Sequence, residues 1–528
     1  MTLDSIIAAL RDPDAYPHRP EAPIEILRTH ISVIVLAGNR VYKIKRPVRL
    51  DFLDYSTLER RRHFCAEEVR LNRRLAGNVY RGVVAITRED DAAIRIGGRG
   101  TPVEYAVEME RLPADHMLDA LLDRDALPRS RLDELSHLLV DFHRTCATGA
   151  GVDEYGTPDE LRRQSAEGFD ELDPFVGVTI TPAARDHLRA AATRWLDAHE
   201  PLLARRVREG RIREGHGDLH AGNLCILDDR IIAYDCIEFS PRFRCRDVAC
   251  EIAFLAMDLD SRGRREEAAH VVAEYAACAS DPDLPTLLDF YKPHLALVRG
   301  KVASIRAADA ALDDDARRRA VAEAQRYMHL AAGYTLPPAL ILMCGLPGTG
   351  KSHVARALAT PLGANVLRSD VIRKTLAPDA TIDRARDAAA LDRGLYAPDV
   401  TDRTYDAMQR QAMAHLVDGT PVILDATFPA RARRTSFLDG AAAAGVASIV
   451  VEVTCADMEI RRRLRSRAAE GRDASDADER VYEHARSTFE PPDEVPPAQR
   501  VTVSSETPLE DQVAAVIERL VGAAHGQR

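Results

Sequence analysis

The sequence predicts a multidomain α/β chain: an α+β region at the N-terminus, then a domain built on a mainly parallel sheet. Three observations predict this. At 528 residues the chain is too long for one core, since domains run to about 150 residues. The stretch "YTLPPA", Tyr334 to Ala339, breaks a long helical pattern, because Pro337 and Pro338 cannot continue a helix. Beyond that break strand and helix patterns alternate, as in a parallel sheet covered on both faces. The expected domains are therefore residues 1–333 and 339–528, joined by a linker at 334–338.

The elements follow in order. "ISVIVLAGNRVYKIKRPV" reads as a hairpin, two β-rich runs about a Gly-Asn turn. "STLERRRHFCAEEVRLNRRLA" reads as a helix, with Ser56 as N-cap and Glu59 three residues on. Strands follow at "GVVAITRED", "AAIRIGG" and "EYAVEMERL". From Asp119 to about Arg208 the pattern is helical, with Leu135, Leu138, Leu139 and Phe142 at helix spacing. "NLCIL-DD-RIIAYD" reads as a tight hairpin, and helices resume to about Gly333. After the linker, "LILMCG", "NVLRSD", "PVILDAT", "ASIVVEVTC" and "RVTVSS" are the strands, each followed by a helical pattern.

Composition excludes some classes. A formal net charge of −11 and a pI near 5.9 argue against a general nucleic-acid coat. They favour a small-molecule substrate over a nucleic-acid end. No run reaches the ~20 apolar residues of a membrane span, and the N-terminus has neither the basic start nor the apolar core of a secretory signal. The expectation is a cytoplasmic protein of open oligomeric state. Nine cysteines are scattered without a C-x-x-C pair, which suits buried small apolar residues rather than zinc ligands.

Two stretches carry chemistry. "GLPGTGKS" fits G-x-x-x-x-G-K-[ST] between a strand and a helix, the context that motif requires. Gly345, Gly348, Thr349 and Gly350 would let backbone N–H groups close around phosphate oxygens, helped by the helix N-terminus. Lys351 would reach the β- and γ-phosphates, and Ser352 would hold Mg2+. Asp425, ending "VILDATF", is either a Mg2+ carboxylate or a strand-end cap. Asp370 and Arg373 in "LRSDVIRKTL" are either a base and a cation beside the phosphates or a surface ion pair. The second stretch, "EGHGDLHAGNLCIL", places His216, Asp218, His220 and Asn223 within eight residues. It admits three readings: a metal site, an acid/base site, or a capped polar loop. "GDLHxGN", a hairpin and then Asp235 in "IIAYDCIEF" together fit a loop that orients a hydroxyl and holds Mg2+.

Both stretches carry a family resemblance. The order "GLPGTGKS", "SDxxR", "hhhDAT", "RRRLRSR" resembles the polynucleotide-kinase, zeta-toxin and gluconate-kinase group of P-loop kinases over most of 339–528. That resemblance implies Asp370 as acceptor-side base, Arg373 as its arginine, and Arg463 and Arg467 as lid arginines. Read alone, "IRRRLRSR" is equally a solvated helix face. "HGDLHAGN" with Asp235 resembles the aminoglycoside-phosphotransferase and choline-kinase branch of the protein-kinase-like fold, over roughly residues 24–310. It implies a bilobal N-terminal domain with Asp218 as catalytic base and Asn223 and Asp235 holding Mg2+. His216 would brace the loop, and His220 has no assigned part. On "VYKIK" it implies an ATP lysine, Lys43 ahead of Lys45, paired with Glu68 ahead of Glu67, and a hinge at Met109–Leu112. The full glycine loop is missing, with "LAGN" as a short substitute. The fusion resembles a bacterial family described as AAA-type ATPases or predicted kinases.

The function expected is an ATP- and Mg2+-dependent phosphotransferase with two nucleotide sites and small-molecule hydroxyl acceptors. Two other readings are an ATP-gated switch, in which one domain senses nucleotide, and a toxin-like kinase restrained by the first domain.

Overall fold

The computed structural model describes residues 1–21, 23–50, 53–376, 397–470 and 479–526, the side chains at 467–470 and 525–526 excepted. It divides into two compact units. The first is Met1–Arg163, Leu196–Leu259 and Arg264–Tyr291; the second is Gln164–Trp195, Asp260–Gly263 and Lys292–Arg528. This division falls elsewhere than the 334–338 linker. Helical residues of the first 333 group with the second unit, and Gly333 gives one reason. It sits in helix Asp314–Thr335, where a Cβ would stand 1.9 Å from the Pro361 carbonyl oxygen.

In the first unit, helix α1 (Leu3–Ala9) covers an antiparallel sheet. Its strands are β1 (Glu25–Arg28), β2 (Ser32–Ala37), β3 (Arg40–Lys45), β4 (Tyr80–Arg88), β5 (Ile94–Ile96) and β6 (Thr101–Glu110), in the order β1-β2-β3-β6-β4-β5. Side chains alternate across a strand. Tyr42 and Ile44 of β3 therefore join the core under α1 with Val33 and Val35. Lys43 and Lys45 face the other side, towards helix α2 (Leu58–Ala76). Helix α2 buries Arg61, Cys65, Glu68, Asn72 and Ala76, spaced four, three, four and four, one face of a helix. Its N-cap is Thr57, whose hydroxyl accepts from the Arg60 N–H. The expected cap, Ser56, instead donates its hydroxyl to Asp54. Helices α3 (Arg129–Thr145), α4 (Val248–Ser261) and α5 (Arg265–Cys278) frame the second lobe. The hairpin of β7 (Leu224–Ile226) and β8 (Ile231–Ala233) joins α2 in one apolar cluster through Cys225 and Ile232.

The second unit contains a five-stranded, all-parallel sheet. Its strands are β9 (Ala339–Cys344), β10 (Asn365–Arg368), β11 (Val422–Asp425), β12 (Ala447–Thr454) and β13 (Arg500–Ser504), in the order β10-β11-β9-β12-β13. Central β9 is buried at every position, as a parallel strand covered on both faces must be. One face packs on α6 (Lys351–Leu362) and the C-terminal helix Leu509–Gly526. The other packs on α8 (Pro398–Val417) and α9 (Arg431–Ala443). Helix α7 (Ser369–Leu376) follows β10 directly, and α10 (Asp457–Glu470) follows β12. The mixed fold class is thus as read: a unit that combines an antiparallel sheet with helices, and a second unit built on a parallel α/β sheet. Among the described residues no helix is long and apolar enough to cross a membrane.

Candidate active sites

In the first unit the two lysines of β3 converge on one carboxylate. Lys43 Nζ donates to Glu68 Oε1 at 2.9 Å, and Lys45 Nζ to Glu68 Oε2 at 2.7 Å. Their second partners differ. Lys43 also bonds Asp235, while Lys45 bonds Glu238, which accepts from Tyr55 as well. Lys45 and Glu68 are fully buried, whereas the Lys43 side chain keeps 13% of its exposure. Geometry thus separates a lysine beside the metal-type carboxylate from one sealed in an ionic core. Glu67 points away and pairs with Arg70 at 2.9 Å. Burial alone would lower the two ammonium groups, but their carboxylates hold both well above the usual lysine range. Burial would likewise raise Glu68; Lys43 and Lys45 overcome it and hold the carboxyl well down.

The loop before β7 brings Asp218 and Asn223 together. Asn223 Nδ2 donates to the Asp218 carbonyl oxygen at 2.9 Å and to its Oδ2 at 3.2 Å. Both bonds use the amide nitrogen, leaving the amide oxygen as the donor that suits a hard cation. Asp235, just past β8, has φ 64°, a left-handed conformation that costs a non-glycine residue about 1–2 kcal/mol. Its N–H donates to the Tyr80 hydroxyl at 3.1 Å. Next along the chain, the Cys236 N–H donates to Asn72 Oδ1 at 2.9 Å, and Asn72 Nδ2 to the Glu68 carbonyl oxygen at 2.9 Å. The strained residue is thereby tied to the helix that carries Glu68. His216 braces the loop: its Nε2 bonds the Tyr234 carbonyl oxygen at 3.0 Å, and burial pushes the imidazole down, towards neutrality. His220 Nδ1 accepts from the Gly222 N–H at 3.1 Å, so it caps the turn.

Behind this loop stands a residue the sequence did not single out. Glu251 of α4 accepts the N–H groups of His216 and Gly217, the latter at 2.7 Å, both through Oε1. Its Oε2 meets His143 Nε2 at 2.8 Å, and His143 Nδ1 meets the Tyr275 hydroxyl at 2.7 Å. Burial would raise the Glu251 carboxyl, but the His143 bond and the backbone N–H groups hold it below the usual range. A carboxylate 35 residues from its backbone partners leaves no local pattern. Its one signal was a Glu within the apolar run "VACEIAFLAM".

The expected glycine substitute lies elsewhere. Gly38, φ 63°, forms the β2–β3 turn at the end of the sheet where the Arg111 N–H donates to the Asn39 carbonyl oxygen at 2.9 Å. Lys45 pairs with Ser32 at the opposite end, beside the β1–β2 turn Thr29–Ile31. "LAGN" is therefore a hairpin turn, and the turn on the lysine side contains no glycine.

In the second unit Gly345, Gly348 and Gly350 all have positive φ, 135°, 83° and 103°. A Cβ on Gly345 would stand 2.5 Å from the Val453 carbonyl oxygen, so only glycine lets the loop turn here. Thr349 Oγ1 and Lys351 Nζ both donate to the Leu346 carbonyl oxygen, at 2.9 and 2.8 Å. Lys351 and Ser352 open α6. Asp425 ends β11 beside β9, with Oδ2 3.4 Å from Arg368 Nε. Asp370 lies in the first turn of α7. Arg373 is buried and donates to Thr401 Oγ1 at 2.8 Å. Arg463 of α10 is held by Glu459 at 2.8 Å and donates to Ser505 Oγ at 2.8 Å and the Thr349 carbonyl oxygen at 3.4 Å, against the glycine loop. Arg467 lies outside the described side chains.

The donor sets fit the groups expected of them. The first unit pairs carboxylate and amide oxygens with a lysine, and the second offers a glycine cradle with a lysine and a hydroxyl, as Mg2+ and nucleotide phosphates require.

The AAA domain profile matches residues 340–492. Proteins of Mycobacterium tuberculosis and Mycobacterium bovis, each named as uncharacterized, are 32% identical over 417 residues, covering 79% of this chain and 80% of theirs. Among solved structures the chain is similar to a choline/ethanolamine kinase family protein from Mesorhizobium loti, 16% identical, covering 61% of this chain and 94% of that one, with TM-score 0.39. It is also similar to a gluconokinase from Sinorhizobium meliloti, 19% identical, covering 36% of this chain and 95% of that one, with TM-score 0.26.

Proposed function

The chain belongs to one family with the mycobacterial proteins, and on that premise we propose that it is a Mg2+-dependent ATP phosphotransferase with a nucleotide site in each unit. Each site would act on a hydroxyl of a small molecule, and the acidic charge of −11 supports that choice over a nucleic-acid end. A cytoplasmic setting is part of the proposal. The observation that carries the reading is the joining of Lys43, Glu68 and Asp235 in one ionic cluster, with Asp218 bonded to Asn223 in the neighbouring loop.

In the first site, Asp218 takes the proton of the acceptor hydroxyl. A positioned base of this kind contributes roughly 10²–10⁴ in rate. The Asn223 amide oxygen and the Asp235 carboxylate hold Mg2+, which when bound neutralises charge on the transferring phosphoryl group. Glu68 keeps Lys43 extended towards the phosphates. In the second site, the backbone N–H groups of Gly348, Thr349 and Gly350 cradle phosphate oxygens while Lys351 supplies a fixed positive charge. Ser352 and Asp425 hold Mg2+, Asp370 serves as base, and Arg373 and Arg463 stabilise the developing charge.

A panel of hydroxyl metabolites with an ATP-consumption readout tests this on the wild type, Asp218→Ala and Lys351→Ala. Two substrate sets are expected, each lost in one variant. One variant abolishing all turnover while the other leaves every substrate untouched contradicts the two-site reading.

A further inference from the structure

Two rows of ligand-type side chains lie on α3 and α5, and none of them is among the nucleotide-site residues named above. Asp133, His137 and Asp141 stand four apart on α3; His270, Glu274 and Cys278 stand four apart on α5. Residues at that spacing share a helix face. His270 Nε2 meets Asp133 Oδ1 at 2.5 Å, and His137 Nε2 meets Glu274 Oε1 at 3.1 Å. Cys278 Sγ donates to that same Oε1 at 3.5 Å. The nitrogen, oxygen and sulfur of His137, Glu274 and Cys278 lie within 4.8 Å of one another.

We propose that His137, Glu274 and Cys278 form a binding site for a zinc-class divalent transition-metal ion that clasps α3 to α5. Three arguments support it. Imidazole, carboxylate and thiolate together are the donor set of a borderline-soft cation, and Mg2+ or Ca2+ would not select it. Metal–ligand bonds of about 2.0–2.3 Å in a tetrahedron put ligand atoms roughly 3.3–3.8 Å apart; the spacings of 3.1 and 3.5 Å here need only side-chain adjustment. Finally, Oε1 of Glu274 already has both other donor atoms directed at it. A metal bound among the three would replace the proton of the Cys278 thiol, released to solvent as the thiolate binds. Three protein ligands leave a fourth position for water. The clasp would lie beside the His143–Tyr275 bond that links the same two helices.

Cobalt(II) tests this directly. The metal-free full-length chain is titrated with Co2+ in excess Mg2+, which fills the hard-ligand sites. One equivalent is expected to give a thiolate-to-cobalt charge-transfer band with intense tetrahedral visible bands, both erased by equimolar Zn2+. Cys278→Ser is expected to lose the charge-transfer band, and Cys455→Ser, the other partly exposed thiol, to keep it. His137→Ala and Glu274→Gln each weaken binding by tenfold or more, on the order of the loss seen when metal-site groups are removed. Circular dichroism of each variant checks that the fold is kept. Absence of the band in the wild type, its persistence in Cys278→Ser, or unchanged affinity in both His137→Ala and Glu274→Gln overturns the proposal.

Discussion

Glu251 offers the sharpest test of how the first site is held in shape. Its carboxylate accepts three hydrogen bonds while 5% exposed: two backbone N–H groups on Oε1 and His143 on Oε2. We predict that Glu251→Ala orphans all three donors. A buried unsatisfied donor costs about 1–3 kcal/mol, and water entering the space recovers part, so the loss should be about 3–6 kcal/mol. Glu251→Gln should behave differently. The amide oxygen can keep both backbone bonds, and the amide N–H can donate to His143 Nε2 once the imidazole proton sits on Nδ1, facing the Tyr275 oxygen. Only the charge is lost, about 1 kcal/mol. The assay is guanidinium unfolding followed by two probes. The single tryptophan, Trp195, belongs to the second unit, whereas far-ultraviolet circular dichroism reports both. The Ala variant should show an early dichroism transition while the Trp195 transition stays in place. Nucleotide binding at the first site should fall with it. An Ala variant within 1 kcal/mol of wild type, or a Gln variant as damaged as Ala, would refute the reasoning.

Three further predictions concern separate parts of the chain. Lys45→Met should cost about 3–5 kcal/mol, because it leaves buried Glu238 with no cation and takes from buried Glu68 one of its two lysines; Lys43→Met should cost less stability but more nucleotide affinity, read by calorimetry. Gly345→Ala must force a Cβ against the Val453 carbonyl oxygen at φ 135°, so we expect a loss of about 2–4 kcal/mol and no nucleotide bound at Lys351, measured by unfolding and by calorimetry. His329 is buried and its imidazole is pushed down to about 4, first by burial and then by Arg326. Its folded value lies below the unfolded one, so the unfolded state binds more protons between pH 6.5 and 4, and stability falls as pH drops through that window. At about 1.4 kcal/mol per unit the loss reaches roughly 3 kcal/mol. His329→Leu should remove it in Trp195-monitored unfolding at pH 7 and pH 4; equal pH slopes in both proteins would contradict this.

What the sequence made legible was what is local in it. The glycine loop, Lys351 and the strand and helix on either side lie within a few residues, so spacing alone finds them. The pairing of Asp218 with Asn223 was legible for the same reason. Lys43 and Glu68 are 25 residues apart, and strand alternation with helix phase could only narrow the choice. The second partner of Lys45, Glu238, lies 193 residues away, and Glu251 meets its loop across the fold. Such contacts follow from packing, which no local pattern encodes. The short glycine substitute shows the same limit. "LAGN" was rightly a turn, but which end of the sheet it occupies depends on how β3 registers with β2 and β6. Nor could the proline break foretell that helix Asp314–Thr335 groups with the second unit, since that depends on the close approach at Gly333.

The central claim is that each unit binds its own nucleotide. The most direct measurement is the stoichiometry of a non-hydrolysable ATP analogue with Mg2+, by calorimetry on the full chain. Two per chain are expected for the wild type. Lys351→Ala should retain one, lost from the second unit, and Asp235→Asn should retain one, lost from the first. A wild-type stoichiometry of one, or a single variant that abolishes both binding events, would contradict it.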